Sequence, residues 1–188
     1  MRKLNAFNHV TLDGYFAGEN GDMSWAHKGN DDAEYQAFVA GNASGESELL
    51  FGRVTYEMMA GYWPTPAASQ QAPIVAEKMN SGRKVVFSKT LAEASWNNTK
   101  LVRGDLAEEV KKMKDEEGPD MVILGSGSIV AQLAAAGLID NYQMVINPVA
   151  LGKGRTLFEG LPQMLSLKLI KSRTFNNGKI FLSYEAIA

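Results

Sequence analysis

The stretch that decides the fold runs Val122-Ile-Leu-Gly125-Ser126-Gly127-Ser128-Ile129-Val130-Ala-Gln-Leu133. An apolar, β-type run ends on two glycines and passes at once into a run with helical periodicity. This order predicts a strand, a tight turn and a helix whose first backbone N–H groups face the turn. Such a helix N-terminus favours an anion, so the junction is typical of a phosphate site, although glycines also end strands for steric reasons alone.

A second junction repeats the order of strand, glycine and helix. It reads Leu49-Leu50-Phe51-Gly52-Arg53-Val54-Thr55 and adds a guanidinium, which can hold a phosphate with two parallel hydrogen bonds. Two junctions of this kind in one small domain indicate a dinucleotide.

Composition narrows the class of protein. The chain has 188 residues, is 45% hydrophobic and has a net charge of -2, so it can bury one sizeable core in a single domain over residues 1–188. The charge gives no basic face for nucleic acid, and with no cysteine and two histidines we expect no metal site. We find no signal segment and no apolar run of roughly 20 residues, so we expect no membrane association and a cytoplasmic protein.

Strands and helices alternate along most of the chain. We predict strands at residues 4–11, 47–51, 84–87, 99–102, 121–124 and 142–146, and helices near 31–40, 53–59, 74–80, 106–117 and 128–136. Asn176-Asn177-Gly178 joins two final strands at 165–175 and 180–186 as a hairpin. The pattern predicts a three-layer α/β fold with a mostly parallel sheet and an antiparallel C-terminal edge. Residues 13–30 are expected to form a binding loop or lid, and Pro64 and Pro66 a surface loop.

Four motifs together resemble the dihydrofolate-reductase-like superfamily, and more narrowly the stand-alone bacterial proteins of the riboflavin-biosynthesis reductase C-terminal domain type. They are Val10-Thr-Leu-Asp-Gly-Tyr-Phe-Ala-Gly18, Gly52-Arg-Val-Thr-Tyr-Glu57, Val122-Ile-Leu-Gly-Ser-Gly127 and Leu151-Gly-Lys-Gly-Arg-Thr-Leu-Phe158. The resemblance spans nearly the whole chain. It implies a dihydrofolate-reductase-like fold that holds NADPH across the carboxyl ends of its strands.

The resemblance also implies which residues hold the cofactor. They are Gly52, Arg53, Val54 and Thr55 at a phosphate-gripping helix start, Ser88 and Lys89 near the adenosine 2′-phosphate, Gly125, Ser126, Gly127, Ser128, Ile129 and Val130 at the pyrophosphate turn, and Ala17 and Gly18 in the loop over the nicotinamide. Trp25 falls beside the substrate ring. A 2′-phosphate needs cationic and hydroxyl donors together, which Arg53, Ser88 and Lys89 provide.

A carboxylate near the start of the first helix is implied as the group that holds the substrate ring and assists its protonation. Asp31, Asp32 and Glu34 all lie there, and we favour Asp32. The alternative interpretation is that these acids only cap and start the helix. Asp13 is a second catalytic candidate that could orient a substrate amine, or it only forms an Asp-Gly turn.

Three functions remain open at this point. The first is an NADPH-dependent reductase that transfers a hydride to a C=N bond of a pterin or related pyrimidine heterocycle. The second is reduction of 5-amino-6-(5-phosphoribosylamino)uracil in riboflavin biosynthesis, in which Lys153 and Arg155 could face the ribose phosphate. The third is a non-catalytic, nucleotide-binding protein. Proteins of this type are commonly dimeric, so we expect a homodimer.

Overall fold

The computed structural model describes residues 1–43 and 45–187. The strands are β1 (Leu4–Thr11), β2 (Tyr15–Ala17), β3 (Glu48–Gly52), β4 (Lys84–Phe87), β5 (Thr99–Val102), β6 (Met121–Leu124), β7 (Asn141–Asn147), β8 (Arg155–Thr156), β9 (Leu167–Thr174) and β10 (Ile180–Ala186). The helices are α1 (Ala33–Ala43), α2 (Arg53–Tyr62), α3 (Pro66–Gln71), α4 (Pro73–Ser81), α5 (Leu106–Asp115) and α6 (Gly127–Ala135), with a short 3-10 helix at Ser24–His27.

Eight strands form the central sheet, in the order β5-β4-β3-β6-β1-β7-β10-β9. The six strands from β5 to β7 are parallel, whereas β10 is antiparallel to both β7 and β9. The predicted mostly parallel sheet with an antiparallel C-terminal hairpin is therefore confirmed.

The side chains of β1 show how the sheet is covered on both faces. Leu4, Ala6 and Val10 point into a core that also contains buried residues of α5 and α6. Phe7, on the other face, packs with residues of α1 and β10, and a neighbouring cluster joins α2 and α4 to β3 and β4. Alternating burial along one strand thus produces the predicted three layers.

The carboxyl ends of the parallel strands meet at one edge of the sheet. The strand β6 lies between β1 and β3, so the chain leaves β1 and β3 on opposite sides of the turn that follows β6. Ligands of open α/β sheets bind in a crevice at such a point. The fold therefore places the turn at Gly125 at the centre of the carboxyl edge.

The predicted loop at residues 13–30 contains regular structure of its own. Its β2 strand pairs with β8 in a small antiparallel sheet, with Tyr15 opposite Thr156 and Ala17 opposite Arg155. Strands of two or three residues are too short to produce an alternating pattern, which is why the sequence did not predict them.

The prediction of a surface loop around Pro64 and Pro66 is wrong beyond residue 65, where the helix α3 begins. The Thr65 hydroxyl accepts a hydrogen bond from the Ala68 N–H at 3.3 Å, and Pro66 occupies the start of α3. Proline is well suited to this position, because its missing N–H is one that the helix would leave unpaired.

In the part of the chain that the structure describes, no helix is long and apolar enough to cross a membrane.

Candidate nucleotide and substrate site

The structure brings the two glycine junctions together. The Gly52 N–H donates a hydrogen bond of 3.0 Å to the Ser126 hydroxyl, which joins the start of α2 to the turn before α6. A methyl group at Gly52 would lie 3.2 Å from Ile129, and one at Gly125 would lie 3.6 Å from Thr55. The predicted residues of both junctions therefore share one compact corner of the crevice.

The turn after β6 requires glycine at two positions, for different reasons. Gly125 has a φ of +68°, a left-handed conformation that side chains strongly disfavour. A Cβ atom at Gly127 would lie only 2.2 Å from the Phe16 ring. Both requirements leave the backbone bare at this turn.

The remaining predicted residues of this turn divide into exposed and buried ones. The N–H groups of Ile129 and Val130 each donate to the Ser126 carbonyl at 3.0 Å, and both side chains lie in the core. Ser128 is exposed at the first turn of α6, and Val54 is exposed at the first turn of α2. Ile129 and Val130 therefore offer a phosphate neither a side chain nor a free N–H group, and they contribute by fixing the start of α6.

The charge distribution at the two helix starts fits a phosphorylated nucleotide. Neither α2 nor α6 has an acidic residue in its first turn, and neither has a side-chain hydrogen bond capping its N-terminus. Each helix therefore directs the positive end of its dipole into the crevice without compensation. The two helix starts beside the glycine turn therefore favour an anionic group such as a phosphate.

Cationic groups lie along the carboxyl ends of β3, β4 and β5. Arg53 forms an exposed ion pair with Glu57 at 3.0 Å. The Ser88 hydroxyl accepts hydrogen bonds from the N–H groups of Thr90 (3.2 Å) and Leu91 (2.9 Å). It also lies 3.5 Å from the Thr90 hydroxyl, and either hydroxyl can be the donor of that bond. Lys89 is exposed beside it. The residues predicted to bind the 2′-phosphate thus lie at the ends of two adjacent strands, β3 and β4.

Arg103, directly after β5, is a residue whose role the sequence did not reveal. Its guanidinium donates to the carbonyls of Lys89 (3.3 Å), Leu91 (2.7 Å) and Ala92 (2.9 Å), which fixes the loop that follows β4. Among the described residues neither Arg103 nor Lys89 forms an ion pair. A cation directly after a strand, at the edge that also carries Ser88, is the signal that could have identified it.

The segment with Ala17 and Gly18 lies against the start of α6. Ala17 is buried, and the Gly18 N–H donates to the Asp22 carbonyl at 2.9 Å. The Arg155 guanidinium lies 5.4 Å from the centre of the Phe16 ring. Phe16 therefore lies between Gly127, at the start of α6, and Arg155, at the start of β8.

Asp13 connects two loops at the mouth of the crevice. Its carboxylate accepts hydrogen bonds from the Thr11 hydroxyl (2.5 Å) and from the N–H groups of Leu151 (3.0 Å) and Gly152 (2.7 Å). The bond from Thr11, followed by that from Gly152, lowers the pKa of Asp13. Asp13 is therefore held as an ionised tether, and its catalytic role remains a prediction.

Asp32 and Trp25 lie on either side of the segment that leads into α1. The Asp32 carboxylate accepts the Tyr35 N–H at 2.8 Å, so it caps α1 as the alternative interpretation had it. The Trp25 indole is buried and donates to the Asp22 carbonyl at 3.2 Å. The roles proposed for Asp32 in catalysis and for Trp25 in substrate binding remain predictions.

Beneath this segment lies a polar cluster formed by the half-buried His9 and by Tyr35, Asn147 and Lys179, which are buried. Tyr35 Oη lies 3.3 Å from His9 Nε2, and Asn147 Nδ2 lies 3.4 Å from His9 Nδ1. The Lys179 ammonium lies 4.4 Å from the centre of the Tyr35 ring. Burial first, and then the charge of Lys179, lowers the pKa of His9 to about 4. The sequence missed this cluster because its members come from two strands, a helix and the hairpin connection before β10, which are far apart in the chain.

Some buried polar atoms near the carboxyl edge have no hydrogen-bond partner among the residues described. They are both amide atoms of Asn8 and Oδ1 of Asn147. Buried amide groups are ordinarily hydrogen-bonded, so these atoms mark places where a partner from outside the protein would be favourable.

The fold is dihydrofolate-reductase-like, as solved structures of similar fold show. A dihydrofolate reductase from Enterococcus faecalis, solved in complex with NADP(H) and RAB-propyl, has a TM-score of 0.65 at 14% identity, over 99% of this chain and 97% of that one. A pyrimidine reductase-like protein from Corynebacterium diphtheriae has a TM-score of 0.64 at 13% identity, over 100% and 92%. A putative riboflavin biosynthesis protein from Shewanella sp. PV-4 has a TM-score of 0.74 at 23% identity, over 99% of each chain.

The chain belongs to the RibD C-terminal domain family, whose model matches residues 2–181. The uncharacterized protein YyaP of Bacillus subtilis (strain 168) is 30% identical over 176 residues, which cover 94% of this chain and 90% of that protein. The resemblance inferred from the four sequence motifs is therefore confirmed, and the family and the neighbours support a reductase-like fold.

Proposed function

We propose that the protein is an NADPH-dependent reductase that acts on a C=N bond of a pterin or related pyrimidine heterocycle. The observation that carries the proposal is the pair of helix N-termini without acidic residues, α2 and α6, joined by the hydrogen bond from Gly52 to Ser126. When bound, NADPH supplies the hydride for this chemistry. The similarity in fold to a dihydrofolate reductase complexed with NADP(H) supports the same choice of cofactor.

The residues of the crevice divide into three groups under this proposal. The starts of α2 and α6, beside Gly52 and Gly127, hold the diphosphate, because their helix dipoles favour negative charge and their first turns carry no acidic residue. Arg53, Ser88 and Lys89 hold the 2′-phosphate, and Arg103 fixes the loop that carries two of them. Trp25 and Asp32 lie on the substrate side, where the α1 segment shields the ring from water.

The binding of NADPH and NADH to the Arg53→Ala and Lys89→Ala variants tests the cofactor assignment. We expect each variant to weaken NADPH binding by about 1.5–3 kcal/mol, typical of a hydrogen bond to a charged group, and to leave NADH binding nearly unchanged. Arg83→Ala is the matched control, because Arg83 is an exposed cation at the opposite, amino end of β4. Equal losses for both nucleotides, or no binding of either nucleotide to the wild type, would reject the assignment.

Reduction of 5-amino-6-(5-phosphoribosylamino)uracil is a second candidate function, favoured by membership of the RibD C-terminal domain family. Two basic residues considered for the ribose phosphate have other contacts: Lys153 pairs with Glu19 at 2.8 Å, and Arg155 lies over Phe16. Oxidation of NADPH in the presence of pterins or of this aminouracil distinguishes the two substrates. Binding of NADPH without turnover of either would favour the non-catalytic alternative.

A further inference from the structure

The cluster of His9, Tyr35, Asn147 and Lys179 forms a floor beneath the segment that leads into α1. This floor contains a positive charge without a carboxylate partner. Lys179 is only 1% exposed, and its ammonium donates to the Ala26 carbonyl (2.9 Å) and to Asn30 Oδ1 (2.5 Å). In the part of the chain that the structure describes, no acidic side chain pairs with it. A fully buried lysine is rare unless it is paired, so the charge here is an unusual feature of the site.

The acidic residues nearest in sequence to this floor have other contacts. The Asp32 carboxylate binds the Tyr35 N–H, and Glu34 pairs with Arg173 at 2.8 Å. Asp31 is exposed. None of these three carboxylates contacts Lys179 or His9. Asp13, the ionised carboxylate at the crevice mouth, is held by Thr11, Leu151 and Gly152. Among the described residues, no carboxylate therefore pairs with the charge of Lys179.

The other polar groups of the floor are neutral, and the side-chain oxygen of Asn147 accepts no hydrogen bond from the described residues. His9 is uncharged near neutral pH, since burial depresses its pKa to about 4. The Asn147 amide nitrogen donates to the carbonyls of Val10 (3.1 Å) and Val145 (3.0 Å), which fixes the orientation of the side chain. Its Oδ1 is left buried without a donor. A ring N–H is one group that would satisfy this acceptor.

We propose that the crevice selects a substrate ring that binds in a neutral or anionic form and rejects a protonated ring. Lys179 is the specificity-determining charge, and Asn147 Oδ1 accepts a hydrogen bond from a ring N–H. The inference rests on the proposed function for the presence of a substrate ring at this place. Lys179 acts without touching the ring, because charges separated by several ångströms still repel strongly inside a protein. A protonated pterin, which a free carboxylate would stabilise, is therefore disfavoured.

Calorimetric titration with two small rings tests this selection. The probes are uracil, which is neutral, and 2,4-diaminopyrimidine, which is protonated in mildly acidic buffer. Each is titrated with and without NADPH. In mildly acidic buffer we expect wild-type protein to bind uracil about tenfold more tightly or better, from the repulsion of a buried charge. Diaminopyrimidine should bind more tightly in mildly alkaline buffer, where the ring loses its proton and Lys179, whose pKa burial lowers to about 8, begins to lose its own. The same titration of Lys179→Met, in which only the ring changes charge, should show a smaller gain.

Three variants locate the effect. Lys179→Met removes the charge and should reduce the preference for uracil to about threefold or less, while Lys179→Arg should keep it. Lys84→Met is the matched control, because Lys84 is also 1% exposed but binds the carbonyls of Met79, Asn80 and Gly82 at the amino end of β4. The control variant should leave the preference unchanged.

The outcomes separate this inference from the proposed function. Tighter binding of the protonated ring to the wild type, an unchanged preference in Lys179→Met, or no binding of either ring would overturn the selection by charge. Absence of NADPH binding would reject the proposed cofactor, while the titrations without NADPH would still decide whether the floor selects rings by charge.

Discussion

A methyl group added at Gly127 tests the packing between the first turn of α6 and the β2 segment. In Gly127→Ala the new Cβ would lie 2.2 Å from Phe16 Cζ, where ordinary contacts begin at 3.4 Å. The ring would have to move by about 1.2 Å, yet it is buried and lies beneath the Arg155 guanidinium. Overpacking of this kind typically costs about 1–3 kcal/mol, so we expect the free energy of unfolding to fall by that amount.

A double-mutant cycle with Phe16→Leu makes this prediction specific. The smaller side chain alone should destabilise the protein by about 1 kcal/mol, but in the Gly127→Ala background it should cost nothing or restore stability. Urea unfolding of the four proteins gives the coupling energy. Gly61→Ala is the control, since Gly61 lies in α2 with nothing near its Cβ position, and alanine there should be neutral or stabilising. Additive effects of the two substitutions would refute the packing argument.

Two further predictions concern pH and assembly. The pKa of His9 is lowered from 6.5 to about 4, so its contribution to stability is complete above pH 6.5 and is lost as the pH falls from there to about 4. The loss amounts to about 3 kcal/mol in urea unfolding across this range, and His9→Gln should flatten the dependence; an equal slope in the variant would contradict it. We also propose that the exposed Leu169 and Ile170 of edge strand β9 lie in the expected homodimer interface. Leu169→Glu should then shift the mass measured by light scattering to that of a monomer, whereas Met164→Glu, at an exposed position outside β9, should not.

The central sheet could be predicted from the sequence because its parallel strands are short apolar runs that end at turns. The strand at residues 121–124 and the glycines that follow it predict both β6 and the start of α6. The hydrogen bond from Gly52 to Ser126 could not be predicted, because sequence patterns do not measure the distance between two turns. The pairing of β2 with β8 depends on two segments too short for any periodicity.

The substrate side was harder to predict than the nucleotide side. A phosphate cradle is built from local backbone, so a glycine pattern at one point of the chain indicates it. The cluster of His9, Tyr35, Asn147 and Lys179 depends instead on side chains that meet only after the sheet and α1 have packed. Asp32 illustrates the same limit, since the sequence could not decide between a helix cap and a group directed at a ligand.

The hydrogen bonds from Leu151 and Gly152 to Asp13 have a consequence for motion. Together with the pairing of β2 and β8 and the Lys153–Glu19 ion pair, they fasten the two loops at the crevice mouth to each other. A displacement of either loop would therefore displace the other as well. Lengthening the segment around Gly152 would change the position of Phe16, although the two lie far apart in the chain.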